Sequence, residues 1–408
     1  MPPMSPRRIA LVGAYDRFNY GDLLFPLITN QELSRRGIAA ETRPFSLREA
    51  DLLCYGAIPN RRMSELHDGS FLRDGDVCMI NGGGILGVDW IDVYSHTLGP
   101  LGNKALYYGG RLIGRTRVDR LIRRSFAGRS CTPFIIAPGD FQQRIDVVYN
   151  AVGGTEIASL PDSLRQAAYQ ALQQAQYLSV RDAQVRDILT PTAPPSGVNL
   201  SPDSAVLMSR FYPVDKLSHH ARSDLRALLA QPYACVQANV GFGSANTDRV
   251  RVICEGLYQQ HGLRALLLPI GRYTGLDDDL YLRGLSQQLR TPHALVPDDA
   301  SIGEIMLAIA RSTLFLGTSL HGNITAQSFA VPHLGLDSRS PKLGAYLQTW
   351  DIAPHQRCVD VGDPSKVLEA VAHALETPAI ERERKRDELI AAAQDNYGRL
   401  FASVGLGT

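Results

Sequence analysis

Leu314-Phe315-Leu316-Gly317-Thr318-Ser319-Leu320-His321-Gly322-Asn323 carries an apolar run into small polar residues, and a helix-like stretch, Ile324 to Ala330, follows and stops before Pro332. An apolar strand that turns straight into a helix is a building block of a doubly wound parallel sheet. The turn aims backbone N–H groups and one titratable ring at whatever binds there, which makes it an anion site with a proton donor or acceptor built in. His321 is therefore the first candidate catalytic residue. A packed structural histidine is the competing reading.

The same alternation extends outward in both directions. Toward the N-terminus, strands are expected at Ile9–Val12, Val77–Ile80, Phe134–Ala137, Val147–Val152 and Tyr177–Val180. Helices are expected at Asp22–Arg36, with Asp22 as N-cap, at Ser163–Gln176 and at Asp182–Leu189. The second half repeats the design, with strands at Tyr233–Gln237, Ala265–Leu268, Ala294–Val296, Leu314–Leu316 and His333–Leu336, and helices near Asp248–His261, Asp277–Leu289, Ser301–Arg311 and Lys342–Trp350. The class is α/β: two doubly wound, Rossmann-like domains facing across a cleft, with ligands outside the carboxyl ends of the strands. Thr190-Pro-Thr-Ala-Pro-Pro-Ser-Gly197 holds neither a helix nor a central strand and marks the hinge. The expected division is 1–197, 198–376 and a C-terminal helix, 377–408, that crosses back to the first domain.

Composition narrows the function. Lys plus Arg number 42 against 41 Asp plus Glu, so no global field recruits nucleic acid and any attraction for anions is local. Six cysteines without a C-x-x-C pair suit reduced core thiols and a cytoplasmic location. The first apolar run, Ile9 to Gly13, is far too short for a signal peptide or a membrane span. No histidine spacing typical of a metal site occurs, so no metal is expected.

Several turns offer chemistry. The loop Gly13 to Asp22 precedes the first helix with Asn19, Gly21 and Asp22 and lacks the dinucleotide fingerprint G-x-G-x-x-G. Gly82-Gly83-Gly84 stands at a strand's carboxyl end, where a ligand or the opposing domain can approach the backbone closely. Arg181 follows another strand and can fork onto carboxylate or phosphate oxygens, while Asp182 caps the next helix. Asp203 reads as a turn initiator after Pro202. Arg339 and Lys342 could neutralise an anion beside His321. Between Leu101 and Ser130, Lys104 and seven arginines oppose the single acid Asp119, with Leu112, Ile113, Val118, Leu121, Ile122 and Phe126 interleaved. That stretch reads as a solvated surface loop, or else as a face for an anionic membrane or a diphosphate-linked lipid.

In order, Asn19-x-Gly21-Asp22, Gly82-Gly83-Gly84, Ser179-x-Arg181-Asp182, Asp203, Ser319-Leu320-His321-Gly322 and Lys342 resemble the polysaccharide pyruvyl transferase family across nearly the whole chain. The resemblance implies a fold like that of GT-B glycosyltransferases. It also implies transfer of the enolpyruvyl unit of phosphoenolpyruvate onto two hydroxyls of one sugar, giving a cyclic pyruvate ketal and phosphate, with no cofactor beyond that donor substrate. On this reading His321 and Arg181 are catalytic, and Asn19, Gly21, Asp22, Gly82, Gly83, Gly84, Ser319, Leu320, Gly322, Asn323, Arg339 and Lys342 bind substrate. The partners implied are phosphoenolpyruvate and a sugar acceptor, free or lipid-linked. The chain departs from a pattern common in the family at Leu23, where many members carry an acid, and at Ser319, where many carry arginine. The second departure shifts charge compensation onto Arg181, Arg339 and Lys342. Two other readings stand beside this one. A nucleotide-sugar glycosyltransferase on the same frame would need a ribose-holding carboxylate, for which Glu304 is the candidate. The other is a non-catalytic module that binds an anionic glycan through the arginine-rich segment.

Overall fold

The computed structural model describes residues 6–273, 275–336 and 341–407. Two parallel sheets organise them. The first contains β1 (Arg7–Val12), β2 (Ala40–Ser46), β3 (Arg61–Arg62), β4 (Val77–Asn81), β5 (Asp146–Val152), β6 (Tyr177–Val180) and β7 (Asn199–Leu200), in the order β3-β2-β1-β4-β5-β6-β7. The second contains β8 (Tyr233–Gln237), β9 (Arg264–Leu267), β10 (His293–Leu295), β11 (Leu314–Gly317) and β12 (His333–Gly335), in the order β10-β9-β8-β11-β12. Central strands β4 and β8 are buried at every residue, as expected where helices cover both faces. In each sheet the order reverses beside its first strand, between β1 and β4 and between β8 and β11, so a crevice opens at the carboxyl ends there.

The structure corrects the sequence reading at several places. β2 and β3 were not anticipated, because Glu41, Arg43 and Pro44 do not resemble a buried run, yet Pro44 sits opposite Leu11 in register. Phe134–Ala137 is not a strand: the Ile136 N–H donates to the Tyr149 hydroxyl (2.8 Å), which donates back to the Ile136 carbonyl (2.7 Å), so these groups need no sheet partner. The first helix, Tyr20–Arg35, starts earlier than expected, and its N-cap is Asn19 rather than Asp22. Helix Val240–His261 also starts earlier and bends at Asn246, whose backbone is non-helical. Residues 101–130 form helices Pro100–Ile113 and Arg115–Ser125 rather than a loop. The proline-rich run ends before β7 resumes the first sheet, so the chain leaves that sheet after Leu200, beyond the hinge expected at Thr190–Gly197.

The two halves meet over apolar surface and backbone bonds. One core cluster joins Leu24 and Ile28 of helix Tyr20–Arg35 to Ile305, Ile309 and Ile324 of the second half. Asn19 pairs with Gly271, the Tyr20 N–H donates to the Ile270 carbonyl (3.2 Å), and the Arg272 N–H donates to the Phe18 carbonyl (3.0 Å). The last helix, Ala379–Ser403, crosses back to the first half and buries Leu389, Ala393, Tyr397, Leu400 and Phe401. Its polar side chains complete a buried relay. Tyr177 donates to Asn396 (2.9 Å), Asn396 to Asn150 (2.8 Å), Asn150 to Asn81 (3.0 Å) and Asn81 to Thr29 (3.1 Å), whose hydroxyl meets that of Tyr397 (2.9 Å). None of the described helices is long and apolar enough to cross a membrane.

Replacing Asn150 by leucine leaves the Asn81 side-chain oxygen and the Asn396 amide N–H without the partner that Asn150 supplies, while Asn81 keeps Thr29 and Asn396 keeps Tyr177. The expected cost is about 2–4 kcal/mol in urea denaturation. A loss below about 0.5 kcal/mol would show that the relay contributes nothing.

Candidate active site

A cavity of about 270 Å³ occupies the crevice between the halves. The first half lines it with Arg17, Asn19, Asp22, Gly83, Gly84 and Arg181, and the second with Gln237, Asp278, Ser319, Leu320, His321 and Lys342. These residues come from the loops at the two order reversals and from the ends of neighbouring strands, as the sheet orders require.

Two of these lining residues, Arg181 and His321, converge on a buried carboxylate behind them. Arg181, only 1% exposed, donates through Nη1 to Asp203 Oδ2 (3.2 Å), and His321 Nε2 lies 3.6 Å from the same oxygen. The second Asp203 oxygen accepts the Ala205 N–H (3.0 Å). Burial would push the Asp203 carboxyl up, but the His321 ring, the Arg181 guanidinium and that N–H outweigh it and hold the group below the usual carboxylate range. Arg181 Nε is buried with no partner among the described residues, so the guanidinium keeps unused donor capacity beside the cleft. The Arg181 backbone is fixed as well, its carbonyl accepting from Trp350 Nε1 (2.7 Å).

His321 is placed by local sequence. Ser319 caps helix Leu320–Ser328 by accepting the Gly322 N–H (3.1 Å), while the Ser319 N–H donates to Gln237 (2.8 Å) at the end of β8. The His321 carbonyl accepts from Thr325 (2.6 Å), whose hydroxyl meets Tyr20 (3.0 Å). The imidazole packs edge-on against Phe25, with ring centroids 5.5 Å apart. It also lies so close over Gly21 that a methyl group there would overlap the ring.

The expected site residues thus divide. Asn19, Asp22, Gly83, Gly84, Arg181, Ser319, Leu320, His321 and Lys342 line the cleft. Gly21, Gly82, Gly322 and Asn323 stand behind it. Gly82 leaves room for the Phe25 ring at φ +100°, and Gly322 does the same for Phe315. Asn323 donates to the carbonyls of Gly317 (3.2 Å) and Ser319 (2.8 Å). Asp22 accepts from Asn19 (2.7 Å). Arg339 lies outside the described residues.

Two groups escaped the sequence reading, and a third, Asp203, was named there only as a turn initiator and as part of the family resemblance, with no role in the site. Its partners are set only by the fold. Arg17 lines the cleft with its guanidinium 5.1 Å from the Tyr273 ring centre. Asp278 accepts through one oxygen from Gln237 (2.8 Å) and from the Ile270 and Gly271 N–H groups (both 3.0 Å), while its other oxygen has no partner. Burial pushes the Asp278 carboxyl up to about 7 against those hydrogen bonds. No sequence signal separates Arg17 and Asp278 from ordinary loop polar groups, and Asp203 is marked only by the resemblance.

One group of described residues could hold a metal. His333, Asp351 and His355 are buried with ligand-capable atoms within 4.8 Å of one another, in a part of the second half that does not line the cleft. His333 Nε2 lies 2.8 Å from Asp351 Oδ2, so the cluster serves as a buried ion pair in its own right. Glu304, the candidate ribose holder, is committed elsewhere. It accepts from Ser301 (2.9 Å) in a capping box and pairs with Arg222 (3.1 Å).

Because the folded chain holds the Asp278 proton more tightly than the unfolded chain does, its contribution to stability is lost as pH rises from about 4 to about 7. Wild type should lose stability relative to Asp278→Asn across that window, by at most roughly 4 kcal/mol. Urea midpoints of both proteins at several pH values check this, and parallel pH profiles would contradict it.

The geometry can be set beside known proteins. No curated protein sequence matches the chain. Solved structures do. The chain is similar to UDP-GlcNAc 2-epimerase from Neisseria meningitidis bound to UDP-GlcNAc, with a TM-score of 0.55 and 11% identity over 96% of this chain and 98% of that one. It is also similar to an α,α-trehalose-phosphate synthase from Burkholderia xenovorans in complex with glucose-6-phosphate, with a TM-score of 0.54 and 11% identity over 98% of this chain and 100% of that one. At such identities the likeness shows the fold alone, which is the GT-B fold. A sequence model of polysaccharide pyruvyl transferases matches residues 19–340, a range that includes both Asn19 and His321. The chain belongs to the polysaccharide pyruvyl transferase family.

Proposed function

We propose that the chain transfers the enolpyruvyl unit of phosphoenolpyruvate onto two hydroxyls of one sugar, in an exopolysaccharide or its lipid-linked precursor, forming a pyruvate ketal. The balance is simple. One hydroxyl proton ends on the methylene carbon, which becomes a methyl group, and the other leaves with phosphate. Two C–O bonds form at the central carbon as its bond to the phosphate oxygen breaks. Such a reaction needs an anion-holding site, a proton carrier at the double bond and a dry cleft.

The observation that carries this reading is the Arg181–Asp203–His321 chain on the family's motifs at the cleft. Arg181, with its unused donor capacity, pairs with the carboxylate or phosphate of the donor, helped by Lys342, Arg17 and the start of helix Leu320–Ser328. His321 delivers the proton to the methylene carbon and accepts one from an attacking hydroxyl, with the Asp203 carboxylate as electrostatic partner of the ring. Asp278, protonated up to about pH 7, is a second proton-bearing group in the same cleft. Asn19, Asp22, Gly83 and Gly84 form the acceptor-sugar wall. Phosphoenolpyruvate is a cytoplasmic metabolite, which places the proposed reaction in that compartment, at the inner face of the membrane when the acceptor is lipid-linked.

His321→Ala removes a ring that packs on Phe25, so it is assayed at a temperature where the variant remains folded. Its phosphate release from phosphoenolpyruvate with acceptor present should fall by at least ~100-fold, with loss of the ketal mass gain on the acceptor. Retention of most of that release would remove His321 from the chemistry. Release of nucleotide from a nucleotide sugar by the wild type, with phosphoenolpyruvate untouched, would replace the proposed reaction altogether.

A further inference from the structure

Helices Pro100–Ile113 and Arg115–Ser125 are amphipathic in an unusual sense, because apolar side chains lie on their outer faces. Leu101, Tyr108 and Leu112 fall on one stripe of the first helix and are 82%, 60% and 84% exposed. Lys104 and Arg111 flank that stripe. On the second helix, Val118 and Ile122 are buried against the body, while the solvent-facing flank presents Leu121, 57% exposed, beside Arg117, Arg120 and Arg124. These four are among nine large apolar side chains left exposed in the described residues, so nearly half of that surface is concentrated in one hairpin. Arg115 is spent on Asp89 (2.6 Å) and Asp92 (2.7 Å), but Lys104, Arg111, Arg117, Arg120 and Arg124 meet no carboxylate among the described residues.

We propose that this hairpin is a membrane-docking surface that lies in the headgroup layer of an anionic bilayer. Leu101, Leu112 and Leu121 enter the acyl boundary, and the unpaired cations contact lipid phosphates. Charge decides the occupant. A second copy of the chain would set the same cationic face against itself, and nucleic acid gives the exposed leucines nothing to bury against. Position supports it too. The second helix packs on helix Trp90–Ser95, and Val93 of that helix, with His96 just after it, lines the cleft, so docking sets the cleft mouth beside the bilayer. The surface stands or falls independently of the transfer reaction.

The test uses the full chain with vesicles of mixed phosphatidylglycerol and phosphatidylcholine and vesicles of phosphatidylcholine alone. Wild type should sediment with the anionic vesicles at least ~tenfold more strongly than with the neutral ones, and added salt should weaken this binding. Leu101→Glu/Leu112→Glu and, separately, Arg117→Glu/Arg120→Glu should each lower binding by at least ~tenfold while leaving the melting temperature unchanged, since these side chains are exposed. Equal sedimentation with both vesicle types, or variants that bind like wild type, would overturn the proposal. A wild-type dimer in light scattering that Leu101→Glu/Leu112→Glu converts to monomer would overturn it in favour of self-association.

Discussion

The Asp203 carboxylate brings the Arg181 guanidinium and the His321 ring together at one buried point, and the site is arranged around that constraint. Asp203 is 0% exposed and faces Arg181 from the end of β6 and His321 from the start of the helix after β11. Removing one member of such a group leaves another buried charge uncompensated, which is far more costly than the intact cluster is stabilising. The chain reaches Asp203 just after β7, where it leaves the first sheet for the second, so the residue that couples Arg181 to His321 also lies on the crossover between the halves.

Close packing makes the arrangement specific. Gly21 admits the His321 ring, and any side chain at Gly153 would collide with the Arg181 guanidinium. Asn19 caps the helix that carries Gly21 and pairs with Gly271 across the cleft, so the wall beside His321 is fixed from both sides. These glycines act through the space they leave, and the ligand-facing chemistry belongs to the charged residues.

Much of this was legible in the sequence because it is local. Apolar runs followed by amphipathic stretches gave ten strand positions, nine of which lie on strands of the structure, and Ser319-Leu320-His321 announced its own strand-to-helix turn. Arg181 and the Asp182 cap were readable for the same reason, and the Asp182 side chain accepts the Val185 N–H at 2.9 Å. What was missed depends on distant partners. Arg17 and Asp278 look like loop polar groups until the second sheet is laid against the first, and Asp203, marked only by the resemblance, shows its partners only in the fold. β2 was hidden by charge and proline, and Phe134–Ala137 looked like a strand because a buried loop whose backbone is satisfied by a tyrosine has the same apolar composition. The hairpin at 101–130 was readable as basic and apolar, but only its helical geometry separates the leucines turned outward from the residues turned in.

The most direct measurement is calorimetric titration of phosphoenolpyruvate into wild type and Asp203→Asn at a temperature where both are folded. If one carboxylate organises Arg181 and His321, the variant should bind the donor at least ~tenfold more weakly, a loss of about 1.4 kcal/mol or more. Equal affinity in the two proteins would contradict the account.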